Sequence, residues 1–249
     1  MKLFLSSVYD CASPIDYDFS LYTLQSYFTL ISNKTIQLRV HNRKCSEFIF
    51  DSGAFSFLNS GKGNVNWEYY LDSYADYINT EKIDKFIELD IDAIVGLEQV
   101  ETLRKRLERR TGKQCIPVFH FSRGKQYYFD MVKEYPYVAI GGIAINPYLR
   151  KIFYKYLPMF AKIAHEHGAK IHALGVAYPG MEKWGIDSSD SSTWAVAPAI
   201  KSRIYKFDGS KMISFLDPAL RCLNKILVYP YNFKQWCLYQ RYLDNFPVI

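Results

Sequence analysis

The chain has 249 residues and a formal net charge of +6, with 49% hydrophobic and 22% charged residues. This length is enough for one large domain whose core needs no disulfide or metal to stabilise it. The sequence contains no apolar stretch of about 18 residues to span a membrane, and its first apolar run is too short for a signal peptide. We therefore expect a cytoplasmic protein without membrane contact. The positive charge permits a polyanionic partner but does not require one.

The cysteines are scattered through the sequence: Cys11, Cys45, Cys115, Cys222 and Cys237. None of them forms a C-x-x-C pair with another, so the pattern predicts neither a zinc site nor a disulfide framework. A reducing compartment fits this usage best. We expect no bound metal and no other cofactor.

Short β-rich segments alternate with helical patterns along the chain. The segments with strand character are 2–8, 47–53, 85–92, 115–121, 137–144 and 170–176. The last strands are less distinct, with a seventh expected within 184–190 and an eighth at 211–215. Strands that alternate with helices predict a parallel sheet.

Helical spacing of apolar residues predicts helices at 66–78, 96–112 and 146–168. The third of these is expected to be interrupted before Pro158 and to end at Gly168. The sequence has no dinucleotide-binding glycine fingerprint, so this alternation favours an α/β fold of the (β/α)8 TIM-barrel type. We predict the barrel over 1–218 and a short helical C-terminal tail, packed on the barrel, over 219–249.

Acidic residues follow three of the predicted strands: Asp51, Asp90 with Asp92, and Asp187 with Asp190. An Asp after a strand often only starts a turn or caps a helix, and for Asp92 we favour that interpretation. In a barrel, however, the C-terminal ends of all strands meet at the catalytic face. Acids at three such ends therefore predict one shared pocket.

Two further features lie at predicted strand ends. His120 follows the fourth strand, and Gly141 with Gly142 follows the fifth, where missing side chains let a ligand approach the backbone. Converging carboxylates suit chemistry at a glycosidic bond, because one can attack the anomeric carbon while another moves a proton. A nucleobase as leaving group would also need a flat slot and polar groups to read its edge.

Five segments resemble motifs of the tRNA-guanine transglycosylase family. FDSGAFSF (50–57) is similar to the family's DSGG(F/Y)Q motif, and DSSTW (190–194) is similar to the DSxSW form found in short phage and bacterial relatives. Between them lie matches to the base-binding strand, the Gly-Gly segment and the strand that follows it: IELDID (87–92), YVAIGGIA (137–144) and IHALGV (171–176). The motifs occur in the family's order and cover about residues 48 to 194.

This resemblance implies a barrel enzyme, a pentosyltransferase that exchanges guanine in a nucleic acid for a free 7-deazaguanine base. The family's nucleophile falls on Asp190, with Asp187 as a less well matched candidate. Its base-exchange acid falls on Asp51 and its base-recognising acid on Asp90. Gly141 and Gly142 match the backbone that contacts the purine.

The sequence also departs from the family pattern. Ala54 and Ser56 replace the usual Gly and Gln, and PVFHFSRG (117–124) replaces a glutamine-bearing segment, so we expect His120 to read the base and Arg123 to contact the base or a phosphate. The C-x-C-x-x-C and His of the zinc subdomain that docks tRNA are missing. Because zinc-free phage relatives are implied to modify DNA, DNA is the expected substrate, in the host cytoplasm if the chain is phage-encoded.

Further basic residues lie in KSRIYKFDGSK (201–211), where Lys201, Arg203 and Lys206 are expected to follow a phosphate backbone unless this is a solvated loop. Alternatives to DNA base exchange remain: the same exchange on tRNA, plain hydrolysis of a glycosidic or deaminase type, and a catalytically silent barrel that binds nucleic acid. A homodimer or a helper protein is also left open.

Overall fold

We describe the protein from a computed structural model that covers residues 1–11, 15–16, 19–53, 56–57, 65–143, 147–196, 203–216 and 227–246. Its centre is a curled sheet of seven parallel strands with helices packed around it. The strands are β1 (Lys2–Ser6), β2 (Tyr22–Ser26), β3 (Glu47–Asp51), β4 (Val118–Phe119), β5 (Tyr137–Ile140), β6 (Lys170–Ala173) and β7 (Ser188–Ser191). They lie in the order β3-β2-β1-β7-β6-β5-β4.

Single-residue bridges link the two edges of this sheet. Phe50 of β3 pairs in parallel with Phe86, and Ile87 pairs in parallel with Ile116, which precedes β4. Backbone hydrogen bonds support both bridges, with Ile87 N–H donating to Phe50 O at 2.8 Å and Ile116 N–H donating to Phe86 O at 2.8 Å. The segment predicted as strand 85–92 is therefore present, but in the described structure it is reduced to these two bridges.

The strand β2 was not expected from the sequence. Its residues Thr23 and Gln25 are polar yet 0% exposed, so the continuous apolar run of a strand buried on both faces is missing. Both side chains are hydrogen-bonded inside the protein: Thr23 Oγ1 donates to Cys45 Sγ at 3.1 Å, and Gln25 Nε2 donates to Asp10 Oδ1 at 2.8 Å. Long-range partners, which periodicity does not reveal, make this polar strand a core element.

The helices are α1 (Tyr27–Leu30), α2 (Lys34–His41), α3 (Trp67–Thr80), α4 (Asp92–Val95), α5 (Leu97–Thr111), α6 (Gly124–Glu134), α7 (Pro147–Glu166) and α8 (Tyr229–Asp244). The predictions for α3 and α5 are confirmed. The prediction that the helix is interrupted before Pro158 is wrong, because α7 continues through Pro158 without a break. Pro158 lies on the exposed side of this helix, where water can hydrogen-bond the carbonyl group that loses its partner.

The prediction of a parallel strand at 211–215 is also wrong. This segment belongs to β9 (Met212–Leu216), which pairs antiparallel with β8 (Arg203–Phe207) in a separate hairpin. The hairpin packs on α8 through Tyr205, whose ring centroid lies 5.4 Å from that of Trp236. Strand β9 joins its neighbour in sequence through a tight turn, so it does not enter the parallel sheet.

Helix α8 connects the C-terminal part of the chain to the first strands. Gln240 Nε2 donates to the carbonyl groups of Leu3 and Tyr22, both at 2.7 Å. The predicted C-terminal helical region is thus present over α8 and packs on the sheet, while the predicted boundary at 218 lies outside the described residues. Among the described helices, none is both long and apolar enough to cross a membrane.

Candidate active site

A cavity of about 320 Å³ opens at the C-terminal ends of the parallel strands. Its lining includes five residues predicted for the site: Asp51, Asp90, Gly141, Gly142 and Asp190. They come from β3, from the segment after Ile87, from the end of β5 and from β7. The expectation that three acids from separate strands share one pocket is confirmed.

Another cavity, of about 500 Å³, lies beside the start of β3 and the end of α3. Its acids, Glu47 and Glu81, are paired with cations: Glu47 contacts Lys2 and Lys85, and Glu81 Oε2 lies 3.7 Å from Arg43. Carboxylates neutralised in this way suit structural ion pairs. The pocket at the strand C-termini is therefore the better candidate for catalysis.

Asp190 is held by hydrogen-bond donors, and no Lys or Arg of the described residues contacts it. Ser6 Oγ donates to its Oδ2 at 2.8 Å, and the backbone N–H of Gly175 donates to its Oδ1 at 2.7 Å. His172 Nε2 lies 3.3 Å from the same Oδ1. Asp190 is 9% exposed, and only its pocket side is open. Such an arrangement orients a carboxylate without neutralising it, as attack on a carbon centre requires.

Asp187, the alternative nucleophile, is placed elsewhere. It precedes β7, at the N-terminal end of the sheet, and it is absent from the lining of the pocket. Its Oδ2 accepts a hydrogen bond from Ile171 N–H at 2.8 Å and contacts His165 Nε2 at 2.9 Å. Asp187 is therefore a structural residue that joins β6, β7 and α7, and the candidacy is corrected to Asp190 alone.

Asp51 ends β3 and begins a tight turn. Its Oδ2 accepts a hydrogen bond from the backbone N–H of Gly53 at 3.0 Å. Gly53 has φ +79°, and a Cβ added there would lie 2.4 Å from Phe28 Cβ, so only glycine fits. The intervening Ser52 is fully buried and donates through Oγ to Glu88 O at 2.8 Å. The D-S-G part of the motif is thus a rigid support for the acid.

The surroundings of Asp51 favour its protonated form. Burial is the largest cause, followed by the negative charge of Asp190 and, more weakly, of Asp90; the hydrogen bond from Gly53 acts in the opposite direction. Together they raise the pKa of Asp51 to about 7. A carboxyl group with a pKa near neutrality can both give and take a proton under ordinary conditions.

Asp90 lines the pocket and forms a close pair with His120, which lies behind it and is not itself among the lining residues. His120 Nε2 lies 2.6 Å from Asp90 Oδ1. Burial by itself would lower the pKa of His120, but the hydrogen bond and charge of Asp90, together with the charge of Asp92, outweigh burial and raise that pKa. The pair thus offers an acceptor and a donor side by side, which suits recognition of a polar ring edge.

The two glycines have a role that the sequence did not indicate. A Cβ at Gly141 would lie 2.6 Å from Val118 Cγ1 and 2.8 Å from His120 Cε1, so the glycine makes room for the imidazole ring. Gly142 has φ +79°, a conformation that side chains rarely adopt. Both residues still line the pocket, as ligand approach requires, but their first effect is to seat His120.

Arg123 is not a surface residue, and its expected contact with base or phosphate is corrected. Its side chain is 2% exposed and donates to Asp92 Oδ2 at 2.9 Å and to the carbonyl of Val118. It also lies 3.8 Å from Glu88, which is fully buried and accepts from Arg104 Nε at 2.5 Å. Arg123 therefore belongs to a buried ionic network beneath the pocket.

Of the remaining predicted nucleic-acid contacts, Arg203 and Lys206 lie on the β8–β9 hairpin, outside the pocket lining. Arg203 NH1 donates to Ser214 Oγ at 2.9 Å, and Lys206 is exposed. Lys201 lies outside the described residues, as does Ala54 of the D-S-G-A motif. The hairpin thus keeps an exposed cation but does not bring it to the acids.

Asp90, Asp92 and His120 are also the group of described residues best placed to hold a metal ion, with one ligand atom from each lying within 4.8 Å of the others. All three residues already have protein partners, because Asp90 contacts His120 and Asp92 contacts Arg123. The positive charge of Arg123 at this cluster opposes a second cation. The donor set therefore does not favour a resident metal.

Sequence reasoning missed the residues that hold Asp190, namely Ser6, His172 and Gly175. The signal was weak: Ser6 and Gly175 lie near the C-terminal ends of the predicted strands 2–8 and 170–176, and His172 is a polar residue within the second of these strands. Glu88 and Arg104 were missed as well. A Glu within an apolar strand is a signal for a buried ion pair, since such a charge needs a partner.

Comparisons with known proteins yield structural likeness only. No family model and no curated protein matches this chain. Among solved structures, it is similar to the carboxyl transferase domain of Rhizobium etli pyruvate carboxylase, in the forms with 3-hydroxypyruvate and 3-bromopyruvate, at 13% and 12% identity and a TM-score of 0.47 in both. These matches cover 97% of this chain and 48% of theirs, so the chain spans about half their length. The resemblance to tRNA-guanine transglycosylases stays a prediction.

Proposed function

We propose that the protein is a transglycosylase that exchanges a guanine in DNA for a free 7-deazaguanine base. The observation that carries this proposal is the contrast between two acids in one pocket. Asp190 is surrounded by hydrogen-bond donors, whereas burial and neighbouring charges raise the pKa of Asp51 to about 7. A pair with one nucleophile and one proton carrier is what base exchange with retention needs.

In the first step, a carboxylate oxygen of Asp190 attacks C1′ of the nucleotide and the bond from C1′ to N9 of guanine breaks. Protonated Asp51 gives its proton to the departing guanine, so the base leaves neutral and Asp51 becomes a carboxylate. The product is an ester between Asp190 and C1′. The two groups lower the barrier in different ways: Asp190 supplies the negative charge that attacks C1′, and the proton from Asp51 keeps negative charge from building up on the departing guanine.

In the second step, the incoming 7-deazaguanine attacks C1′ through N9 and displaces the carboxylate of Asp190. Its N9 proton goes to Asp51, which restores the starting state. The two displacements each invert C1′, so the exchanged base keeps the original configuration. Asp90 and His120, with the backbone of Gly141 and Gly142, hold the purine edge in both steps.

The proposal includes a complete (β/α)8 barrel, with the segment around Phe86 and Ile87 as the eighth strand between β3 and β4. The parallel bridges at these residues support this closure. Enclosure matters for the chemistry, because a pocket ringed by strand ends excludes water that would otherwise hydrolyse the ester.

DNA is preferred over tRNA because the sequence lacks the cysteine and histidine pattern of the zinc subdomain that docks tRNA, and because its net charge is +6. The test is incorporation of labelled guanine by the purified protein into DNA and into tRNA, with mass spectrometry of the released nucleosides. Exchange in DNA is expected. Exchange in tRNA alone would make tRNA, and not DNA, the substrate. Binding of either nucleic acid without exchange would favour the alternative of a catalytically silent barrel that binds nucleic acid.

A further inference from the structure

A chain of buried hydrogen bonds lies behind Asp190. The hydroxyl of Tyr137 contacts Ser188 Oγ, which lies 2.6 Å from His172 Nδ1, and His172 Nε2 lies 3.3 Å from Asp190 Oδ1. His172 is 0% exposed and Ser188 is 1% exposed. Polar groups buried this deeply are retained only where they are mutually satisfied.

The register of the sheet explains why these residues meet. His172 of β6 pairs with Ala139 of β5 on one side and with Ser188 of β7 on the other. Alternation along β7 puts Ser188 and Asp190 on the same face of the sheet. The small side chain of Ala139 leaves space for the imidazole ring, which packs edge-on against Phe4 with centroids 6.0 Å apart.

The partners of the ring indicate where its proton lies. A carboxylate oxygen can only accept, so Nε2 of His172 carries the hydrogen that faces Asp190. In a neutral ring with this hydrogen, Nδ1 accepts from the hydroxyl of Ser188, and the oxygen of Ser188 accepts from Tyr137. In this arrangement each group donates once in the direction of Asp190. Burial raises the pKa of Tyr137 far above its usual value, so its hydroxyl keeps the proton that starts the chain.

We propose that His172 is a positioning residue for Asp190, held in its Nε2–H form by Ser188 and Tyr137. This inference rests on the proposed function, since it assumes that Asp190 attacks C1′. Ser6 and the backbone of Gly175 hold the carboxylate from two directions, and His172 supplies the third contact. A neutral imidazole orients the carboxylate without the charge neutralisation that a Lys or Arg would bring. A fixed orientation of the carboxylate increases the rate most in the bond-forming step, because small displacements of the attacking atom slow that step strongly.

The kinetic test compares His172→Phe, His172→Gln and Ser188→Ala with wild type in single-turnover formation of the ester. His172→Phe should slow the step by about 10- to 100-fold at an unchanged KM for DNA, as loss of an orienting partner does elsewhere. His172→Gln should restore much of the rate, because its amide N–H can reach Asp190. His165→Gln is the matched control, since His165 also contacts an Asp but at the other end of the sheet. Wild-type rates in His172→Phe, or equal losses in the Phe and Gln variants with intact folding, would overturn the proposal.

A second measurement does not depend on activity. The chain has five histidines, so long-range ¹H–¹⁵N spectra of the ring nitrogens can be assigned by single substitutions. The Nε2–H form is expected for His172 in wild type, with a clear change in Ser188→Ala. If His172→Phe does not fold, Ser188→Ala carries the kinetic test as well, with an expected loss of about 3- to 10-fold.

The two measurements separate the inference from the function on which it rests. An Nδ1–H form in an active wild-type protein would overturn the positioning role while leaving base exchange intact. A wild-type protein that forms no ester with DNA or tRNA would defeat the proposed function, whatever the form of His172. Slower ester formation in Ser188→Ala, together with loss of the Nε2–H form, would support both.

Discussion

The imidazole ring of His120 occupies the space that a side chain at residue 141 would need. A Cβ built on Gly141 would lie 2.8 Å from Cε1 of His120, closer than real contacts allow. The same ring pairs with Asp90 at 2.6 Å. The Gly-Gly segment therefore controls the base-reading pair indirectly, through the position of His120.

Gly141→Ala should displace His120 and weaken binding of the free base more than binding of DNA. The methyl group must push aside Val118 or the imidazole ring, at a cost of ~1–3 kcal/mol in folding stability. Calorimetric titration with a 7-deazaguanine and with DNA, together with urea unfolding, measures all three effects. Gly112→Ala is the control for loss of a glycine outside the site, because a Cβ there meets nothing within 4 Å. Its positive φ, which Gly141 does not share, should cost stability and leave base affinity unchanged. Unchanged base affinity in Gly141→Ala would refute this role.

Asp190→Asn should abolish ester formation and base exchange, by several orders of magnitude, while keeping the fold. Asn keeps the shape. Its oxygen can accept from Gly175 N–H while its amide group donates to the hydroxyl oxygen of Ser6, but it cannot form the ester. Trapping of a protein–DNA adduct on denaturing gels detects the difference.

Asp187→Asn is the matched control three residues away. It should keep exchange activity and lose stability, because Asp187 binds Ile171 N–H and His165 at the other end of the sheet. Adduct formation by Asp190→Asn, together with its loss in a folded Asp187→Asn protein, would move the nucleophile to Asp187.

Asp51 should make exchange fall as the pH rises through about 7, because only its protonated form can protonate the departing guanine. Asp51→Asn should be nearly inactive and should lack this alkaline limb. The dependence is read from single-turnover rates between pH 5 and 9, at saturating DNA. A rate that rises through pH 7 in the wild type would contradict the assignment of Asp51 as the acid.

The same group should affect stability in a defined direction. The pKa of Asp51 is raised on folding, so its stabilising contribution is full below the unfolded value of about 4 and is lost as the pH rises towards about 7. Asp51→Asn removes the buried charge and should raise the free energy of unfolding at pH 8, by up to ~4 kcal/mol, with little effect near pH 3.5. Denaturant unfolding of both proteins at the two pH values checks this.

Arg123→Ala should lower the free energy of unfolding and should have little direct effect on nucleic-acid affinity. The substitution leaves Asp92 and the buried Glu88 without one cation, which is expected to cost about 3 kcal/mol or more. Lys206→Ala, an exposed control on the hairpin, should leave stability unchanged and reduce the salt dependence of DNA binding slightly if the hairpin contacts phosphates. A stable Arg123→Ala protein with selectively weakened DNA binding would contradict the buried role.

The sequence predicted the parts of this molecule that depend on local pattern and strand position. Alternation of strand and helix indicated the parallel α/β fold, and acids directly after apolar strands indicated one pocket, because parallel strands all end on the same face. Asp51, Asp90 and Asp190 were predicted together for this reason. Gly141 and Gly142 line the pocket as predicted, although the space left by the missing side chain of Gly141 is occupied by the ring of His120.

Other features were decided only by contacts between distant parts of the chain. Strand β2 has polar residues on one buried face and was missed because their hydrogen-bond partners, such as Cys45 and Asp10, come from other segments. Segment 211–215 has the residue pattern of an ordinary strand, but it pairs with β8, its neighbour in sequence, and not with the parallel sheet. Pairing of strands depends on register and loop geometry, which residue type alone does not encode.

The choice between Asp187 and Asp190 also depended on contacts between distant parts of the chain and not on local sequence alone. Both are acids in one serine-rich segment, where the motif resemblance favoured Asp190 and left Asp187 as the less well matched candidate. In the folded chain, β7 starts after Asp187 and carries Asp190 to the pocket, where Ser6 and Gly175 donate to it. Sequence thus determined which residue types gather at the strand ends. Tertiary structure decided which carboxylate is open to a ligand, because burial and hydrogen bonding belong to the packed sheet and not to the segment alone.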